Sequence, residues 1–143
     1  LQKRKPIIYG DGEQTRNFSD IDDCLYCLDQ LITNKEILSE TFNIGPDEES
    51  ISINELYKML CNKLQYNEPA QYVKDRPNEV KHAICSSDKA RKYLNYNTSV
   101  NLSDAIDKVI NYIKIKGPKK FEYNYDLEIN NEFTPDTWKN REF

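Results

Sequence analysis

No apolar run in this 143-residue sequence approaches the ~20 residues that a membrane-spanning helix needs. Basic stripes with interleaved aromatics are also missing. Net charge is −4, and the one basic cluster, Lys3-Arg4-Lys5, is short and stands near the terminus, which argues against a nucleic-acid partner. The first residues lack the apolar core of a signal peptide. The expectation is therefore a cytoplasmic chain whose cysteines, Cys24, Cys27, Cys61 and Cys85, are reduced thiols. The sequons at Asn17, Asn97 and Asn101 are then chance matches. There is a single histidine, His82, and no serine or cysteine nucleophile in a recognisable local motif, so it reads as a structural or surface residue. Cys24-x-x-Cys27 lacks the second ligand pair of a zinc site. It also lies inside a helical pattern rather than at a helix N-terminus, so both thiols are expected to pack as small apolar residues. Hydrophobic residues make up only 38%, which suits a lobe that leans on a neighbour or carries a solvated tail. No internal repeat and no dividing linker is visible.

The pattern that is present alternates short strands with amphipathic helices. Residues 6–10 and 15–19 read as strands around the turn Gly10-Asp11-Gly12. Ile21, Cys24, Leu25, Leu28, Leu31 and Ile32 fall at helical spacing, with Ser19 or Asp20 as cap, Asp22 and Asp23 in the first turn and Asn34 as stop. A short strand is expected over 40–44, ending at Gly45-Pro46. Ser52 and Glu55 form a capping box ahead of a helix carrying Ile53, Leu56, Tyr57, Leu60 and Leu64. Residues 66–79 read as loop and 80–85 as a strand with alternating faces. Ser87 caps a short helix with Ala90, Tyr93 and Leu94, and Asn95 suits a left-handed C-cap. Asn101 and Asp104 open a last long helix with Leu102, Ile106, Val109 and Ile113 aligned, stopped by Gly117-Pro118. Phe121, Tyr123, Tyr125, Leu127 and Ile129 alternate with polar residues, which predicts an extended segment with one buried face. Thr134-Pro135 and Trp138 predict a final helical turn.

Two stretches carry residue types suited to an anionic ligand. In Pro6 to Asp23 an apolar run meets a glycine turn and then Arg16, whose guanidinium fork fits two phosphate oxygens at once. Taken alone, that stretch fits a β-hairpin with a surface arginine equally well. In Arg76-Pro77-Asn78-Glu79-Val80 a proline fixes the chain beside an arginine and a carboxylate three apart, a pair able to hold a phosphate and a sugar hydroxyl, or simply a surface ion pair. Gly10-x-Gly12 is not a dinucleotide fingerprint, because Thr15 stands at the third glycine and an extended stretch follows. Tyr112-x-x-x-Lys116 has the spacing of the proton-transfer pair of short-chain dehydrogenases. It sits on the last turn of a helix ending in Gly-Pro, and the tyrosine- and lysine-rich composition makes about one chance match expected.

Together these stretches resemble the C-terminal substrate-binding part of an extended short-chain dehydrogenase/reductase of the nucleotide-sugar epimerase/dehydratase family, UDP-glucose 4-epimerase-like. Thr41-Phe42-Asn43-Ile44-Gly45 resembles its FNIG turn, Asp75 to Val80 its RPGEV box, and Ser87 to Arg91 with Leu94 to Tyr96 its DxxKAxxxLGY helix. Asn78 and Asn95 stand where the family has glycine. The resemblance covers nearly the whole chain to Lys116, and Pro135 to Trp138 resembles the ending of a bacterial-type subset.

The resemblance implies an α+β lobe of short strands and about four helices, residues 1–117, with a C-terminal tail, 118–143, packed on it. It implies that Arg16 and Arg76 bind the diphosphate and Glu79 the ribose hydroxyls. Ile7 and Tyr9 would read the base through their backbone and cover it with side chains. It further implies that the helix from Asp22 and the strand ending at Ile44 pack on a Rossmann domain that this chain lacks. That domain would bind NAD and carry the catalytic Tyr/Lys pair, so no catalytic residue is expected here. The ligand expected is a UDP-sugar, the partner the missing Rossmann half, and the chain alone should be inactive. A 4,6-dehydratase, a decarboxylase, or a stand-alone nucleotide-sugar-binding module are the alternatives.

Overall fold

The computed structural model describes residues 2, 4–47, 49–119 and 122–141. Its order is β1 (Ile7–Tyr9), β2 (Thr15–Arg16), α1 (Ile21–Thr33), β3 (Ile51–Ser52), α2 (Ile53–Leu64), β4 (Gln71–Val73), α3 (Asp88–Leu94), α4 (Leu102–Lys116) and α5 (Asp136–Lys139). A 3-10 turn over Lys35–Ile37 follows α1. This is the small α+β lobe of short strands and helices that the sequence predicts.

Local chemistry sets the helix starts. The Asp20 carboxylate accepts from the backbone N–H of Asp22 and caps α1, and Asn34 ends the helix. Ser52 and Glu55 form the reciprocal capping box of α2. Asn101 accepts from the Asp104 N–H at the head of α4. Ser87 departs from expectation: it occupies the cap position of α3, but its hydroxyl donates to the Gly45 carbonyl at 2.5 Å. The Asp88 N–H is taken instead by the Ser86 hydroxyl at 3.1 Å. Asn95 adopts φ 52°, ψ 34°, the expected left-handed cap.

The strands pair across long stretches of sequence. β1 runs parallel to β4 with Ile7 opposite Gln71 and Tyr9 opposite Val73. β2 runs antiparallel to β3 with Thr15 opposite Ser52. So β1 and β2 do not form a hairpin with each other. Gly10 and Gly12, at φ 69° and 74°, turn the chain away between them. A Cβ on Gly10 would lie 1.7 Å from Asp75 Oδ1, and one on Gly12 2.1 Å from Asn54 Oδ1, so neighbouring side chains occupy both positions.

Cys27, Ile37, Ala90, Leu94 and Tyr96 form the buried core, with Phe42 and Ile44 packed against it. Burial pushes the Cys24 and Cys27 thiols above their usual range. The apolar stripe of α1 lies elsewhere. Ile21, Leu25, Leu28 and Ile32 face outward, Ile32 at 85% exposure, while Asp23 and Cys27 take the inner face. The Asp23 carboxylate is held there by the Ser99 hydroxyl and by the N–H groups of Ser99 and Val100.

Four predicted segments form differently. Residues 40–44 make no ladder with any described residue, and Phe42 and Ile44 serve the core instead. The expected loop 66–79 contains β4, whose three residues are too few to show a period but find a partner in β1. Residues 80–85 make only one bridge, Thr15 to His82, because the two-residue β2 offers no longer edge; Val80 and Ile84 remain exposed. The alternating tail is no strand: Tyr125 and Ile129 are exposed, and no described edge pairs with them. On α4, Ile106 and Ile110 are buried and Val109 is exposed, which shifts the packed face from the expected one. Lys3 and Phe121 lie outside the described residues.

Candidate functional site

β1 supplies two kinds of group. Gln71 N–H donates to the Pro6 carbonyl at 2.8 Å and Gly10 N–H to the Val73 carbonyl at 2.9 Å. Backbone groups of alternate residues in a strand point to opposite edges, so Ile7 and Tyr9 present theirs away from β4. No described strand pairs on that edge. The Tyr9 carbonyl accepts there from Gln14 Nε2 at 3.0 Å. The Ile8 side chain is buried, while that of Ile7 lines an apolar groove of about 250 Å³ with Ile53, Leu56, Leu60 and Leu64 of α2.

Arg16 is held at the end of β2. Its Nη1 donates to the Thr15 and Lys81 carbonyls at 2.7 and 3.2 Å, and its Nη2 to Glu79 Oε1 at 3.0 Å. It lines a cleft of about 280 Å³ with Phe18, Glu49, Thr98 and Asn101. The partner carboxylate comes from a turn whose sequence explains its shape. Pro77 restricts φ, Asn78 takes φ 57°, and Glu79 N–H reaches back to the Arg76 carbonyl at 3.5 Å. Asparagine tolerates the left-handed position that glycine would otherwise fill.

Arg76 faces a different surface. Its guanidinium carbon lies 4.0 Å above the centre of the Tyr9 ring. Its Nε is buried and has no hydrogen-bond partner among the described residues. A buried donor left unpaired is costly, and such an atom calls for an acceptor. Arg76 and Tyr9 line a cleft of about 160 Å³ whose opposite wall is tail residues Glu132 and Thr134 to Thr137.

The structure thus joins Arg16 to Glu79 directly and Arg76 to Tyr9 directly, with the two pairs linked by the Arg76–Glu79 turn. The Ile7 side chain stands apart from both. Sequence reading missed the tail wall, above all Thr137, which is buried and bonds the Tyr9 hydroxyl through its own. Thr134-Pro135 signalled a helical turn but nothing about where it docks. It also missed the bracing of the glycine turn: Lys81 Nζ lies 2.9 Å from Asp11 Oδ2 and holds that carboxyl below its usual range. His82 accepts or donates at Nδ1 with the Thr15 hydroxyl at 2.9 Å and is exposed. Tyr112 and Lys116 lie on the exposed far end of α4. Among the described residues no cluster could hold a metal ion, and no helix is long and apolar enough to cross a membrane.

No protein-family model matches the sequence. A putative UDP-glucose 4-epimerase of Methanocaldococcus jannaschii is 32% identical over 117 residues, covering 80% of this chain and 36% of that protein. A UDP-glucuronate 4-epimerase of Thermodesulfobacterium geofontis is 28% identical over 115 residues, covering 80% of this chain and 35% of its own length. The solved UDP-glucuronic acid 4-epimerase of Bacillus cereus, in complex with UDP-glucuronic acid and NAD, superimposes with a TM-score of 0.72 at 36% identity, over 78% of this chain and 36% of that one. In fold and sequence the chain is similar to the C-terminal part of UDP-sugar 4-epimerases of the nucleotide-sugar epimerase/dehydratase class. It spans just over a third of the length of the relatives it matches, 36% of the first.

Proposed function

We propose that this chain is the nucleotide-sugar-binding lobe of an NAD-dependent epimerase or dehydratase and that its ligand is a UDP-sugar. The observation that carries the proposal is the buried, unpartnered Nε of Arg76 above Tyr9, one turn away from the Arg16–Glu79 pair. Two guanidinium groups with donors to spare suit the two phosphates of a diphosphate. Glu79 accepts hydrogen bonds from the ribose hydroxyls. The backbone edge of Ile7 and Tyr9, which no described strand pairs and on which Gln14 takes the Tyr9 carbonyl, offers its remaining donors and acceptor to the hydrogen-bonding edge of a uracil. The names of the relatives, UDP-glucose and UDP-glucuronate 4-epimerases, support the same ligand class.

In this reading the lobe contributes positioning. Gripping the nucleotide remote from the reacting sugar carbon converts binding energy into orientation. NAD belongs to a separate domain, since these residues do not fit it. The Gly10 turn leads into β2 rather than into a helix whose N-terminus would receive a pyrophosphate. The outward stripe of Ile21, Leu25, Leu28 and Ile32 on α1 is the docking face for that domain, because an apolar stripe of this extent is costly in water. The 143-residue chain by itself is expected to bind nucleotide without turnover.

Calorimetric titration with UDP, UDP-glucose and UDP-glucuronic acid tests this. Wild type binds, and Arg16→Ala and Arg76→Ala each weaken binding tenfold or more, about 1.4 kcal/mol. A folded wild type that binds none of the three, alone or with a dinucleotide-binding half added in trans, overturns the proposal.

A further inference from the structure

Two contacts run from the tail through Tyr9 to Arg76. The Thr137 side chain, 4% exposed, bonds the Tyr9 hydroxyl through its own. The face of the Tyr9 ring carries the Arg76 guanidinium at 4.0 Å. Arg76 holds the one buried side-chain nitrogen or oxygen without a partner among the described residues. The tail that presents Thr137 is itself braced. Thr134, also buried, receives the Asn131 N–H and donates to the Ile129 carbonyl, each at 3.1 Å. Arg141 pairs with Asp126 at 2.6 Å.

We infer that the C-terminal tail is a working part of the nucleotide site: Thr137 is a positioning residue that fixes the Tyr9 ring and, through it, the orientation of Arg76 toward the diphosphate. This rests on the reading of Arg76 as a diphosphate ligand. The physical reason is entropic. An arginine side chain has many rotamers, and one that is stacked on an immobile ring is already ordered before the anion arrives. A tyrosine ring tethered only at Cβ turns about χ1 and χ2; a hydroxyl bond at its far end removes that freedom. The tail would otherwise be a long solvated segment with exposed aromatics, yet it places the buried Thr137 on this ring.

The test is UDP affinity of the 143-residue chain by titration calorimetry in a double-mutant cycle. Thr137→Val and Tyr9→Phe each remove the same hydroxyl pair from opposite ends and keep side-chain volume. Each is expected to weaken UDP binding about three- to tenfold, the worth of one hydrogen bond. The double variant should be no weaker than either single one, and Thr137→Ser should restore wild-type affinity. In an Arg76→Ala background Thr137→Val should have no further effect. A purely structural threonine would lower the unfolding temperature without moving UDP affinity. That result, or additive losses in the cycle, overturns the inference. Loss of UDP binding in the variants with Arg76→Ala still binding normally also overturns it and removes Arg76 from the site. If wild type binds no nucleotide, the reading of the site falls first and this inference with it.

Discussion

Glu79 holds one arm of the Arg16 guanidinium at 3.0 Å, while the carbonyls of Thr15 and Lys81 hold the other at 2.7 and 3.2 Å. The guanidinium is therefore oriented before any ligand arrives, and part of its charge is spent on Glu79. Replacing Glu79 by Gln keeps the shape and removes the charge. We expect Glu79→Gln to tighten binding of inorganic pyrophosphate about two- to fivefold, because the competing carboxylate is gone, and, on the proposed role of Glu79 toward the ribose, to weaken binding of UDP, because a neutral amide oxygen replaces a charged acceptor. Parallel titrations with the two ligands read the opposite signs. Weakening of both equally would assign Glu79 only to holding Arg16.

The glycine turn gives a stability prediction. Gly10 sits at φ 69° with Asp75 Oδ1 1.7 Å from where a Cβ would stand. Gly10→Ala should cost at least ~1–2 kcal/mol from the left-handed backbone alone, plus the displacement of Asp75. Asp75→Ala in the same chain should recover only the second part. Denaturant unfolding of the two single variants and the double one measures both. Full recovery by Asp75→Ala would show that the backbone tolerates alanine.

Acid stability should depend on Asp47. Arg91 and the Ser87 N–H stabilise its carboxylate and bring its pKa from the ordinary 3.8 to about 2. A carboxylate depressed on folding gives stability that is fully present above the unfolded value and is lost as pH falls through the folded one. Asp47→Asn should therefore lower the unfolding temperature at neutral pH. The gap from wild type should narrow between about pH 4 and about pH 2. A constant gap across that range would place its origin in packing rather than in charge.

The exposed stripe of α1 predicts a surface effect without a stability effect. Ile32 is 85% exposed, so Ile32→Lys should change unfolding free energy by less than about 0.5 kcal/mol. It should also reduce self-association, read by sedimentation, and reduce association with a dinucleotide-binding half supplied in trans. A large stability loss would mean that Ile32 is covered in solution.

Thiol labelling separates the cysteines. Cys85 is exposed and Cys27 is wholly buried. A disulfide reagent at pH 8 should modify Cys85 at once and Cys27 only on unfolding, since burial both blocks access and pushes the Cys27 thiol up. Equal rates would contradict a core that contains Cys27.

What proved legible in the sequence was closed by short-range chemistry. Asp20, Ser52 and Asn101 each accept a backbone N–H two or three residues on, so a local pattern suffices to find them. The left-handed backbone of Asn95 and of Gly117 follows from helix endings readable in the same way. Arg16, Arg76 and Glu79 stood out by residue type, and the likeness to the epimerases was carried by the motifs Thr41 to Gly45, Asp75 to Val80 and Ser87 to Tyr96.

Tertiary structure alone decided the rest. β4 pairs with β1 across some sixty residues of chain, and three residues carry no period that would announce it. Hydrogen bonds to a distant strand leave no trace in local composition, which is also why 40–44, 80–85 and the alternating tail looked like strands and found no ladder. The α1 pattern fixed a helix with one apolar stripe but not which side the core would take. Buried Asp23 has partners on Ser99 and Val100 that satisfy its charge, and Cys27 is small enough for close packing, so the polar side turned inward. The Tyr9–Thr137 contact spans 128 residues. Helix caps come from bonds the chain can make to itself within one turn; the site comes from bonds it makes only after it has folded back on itself.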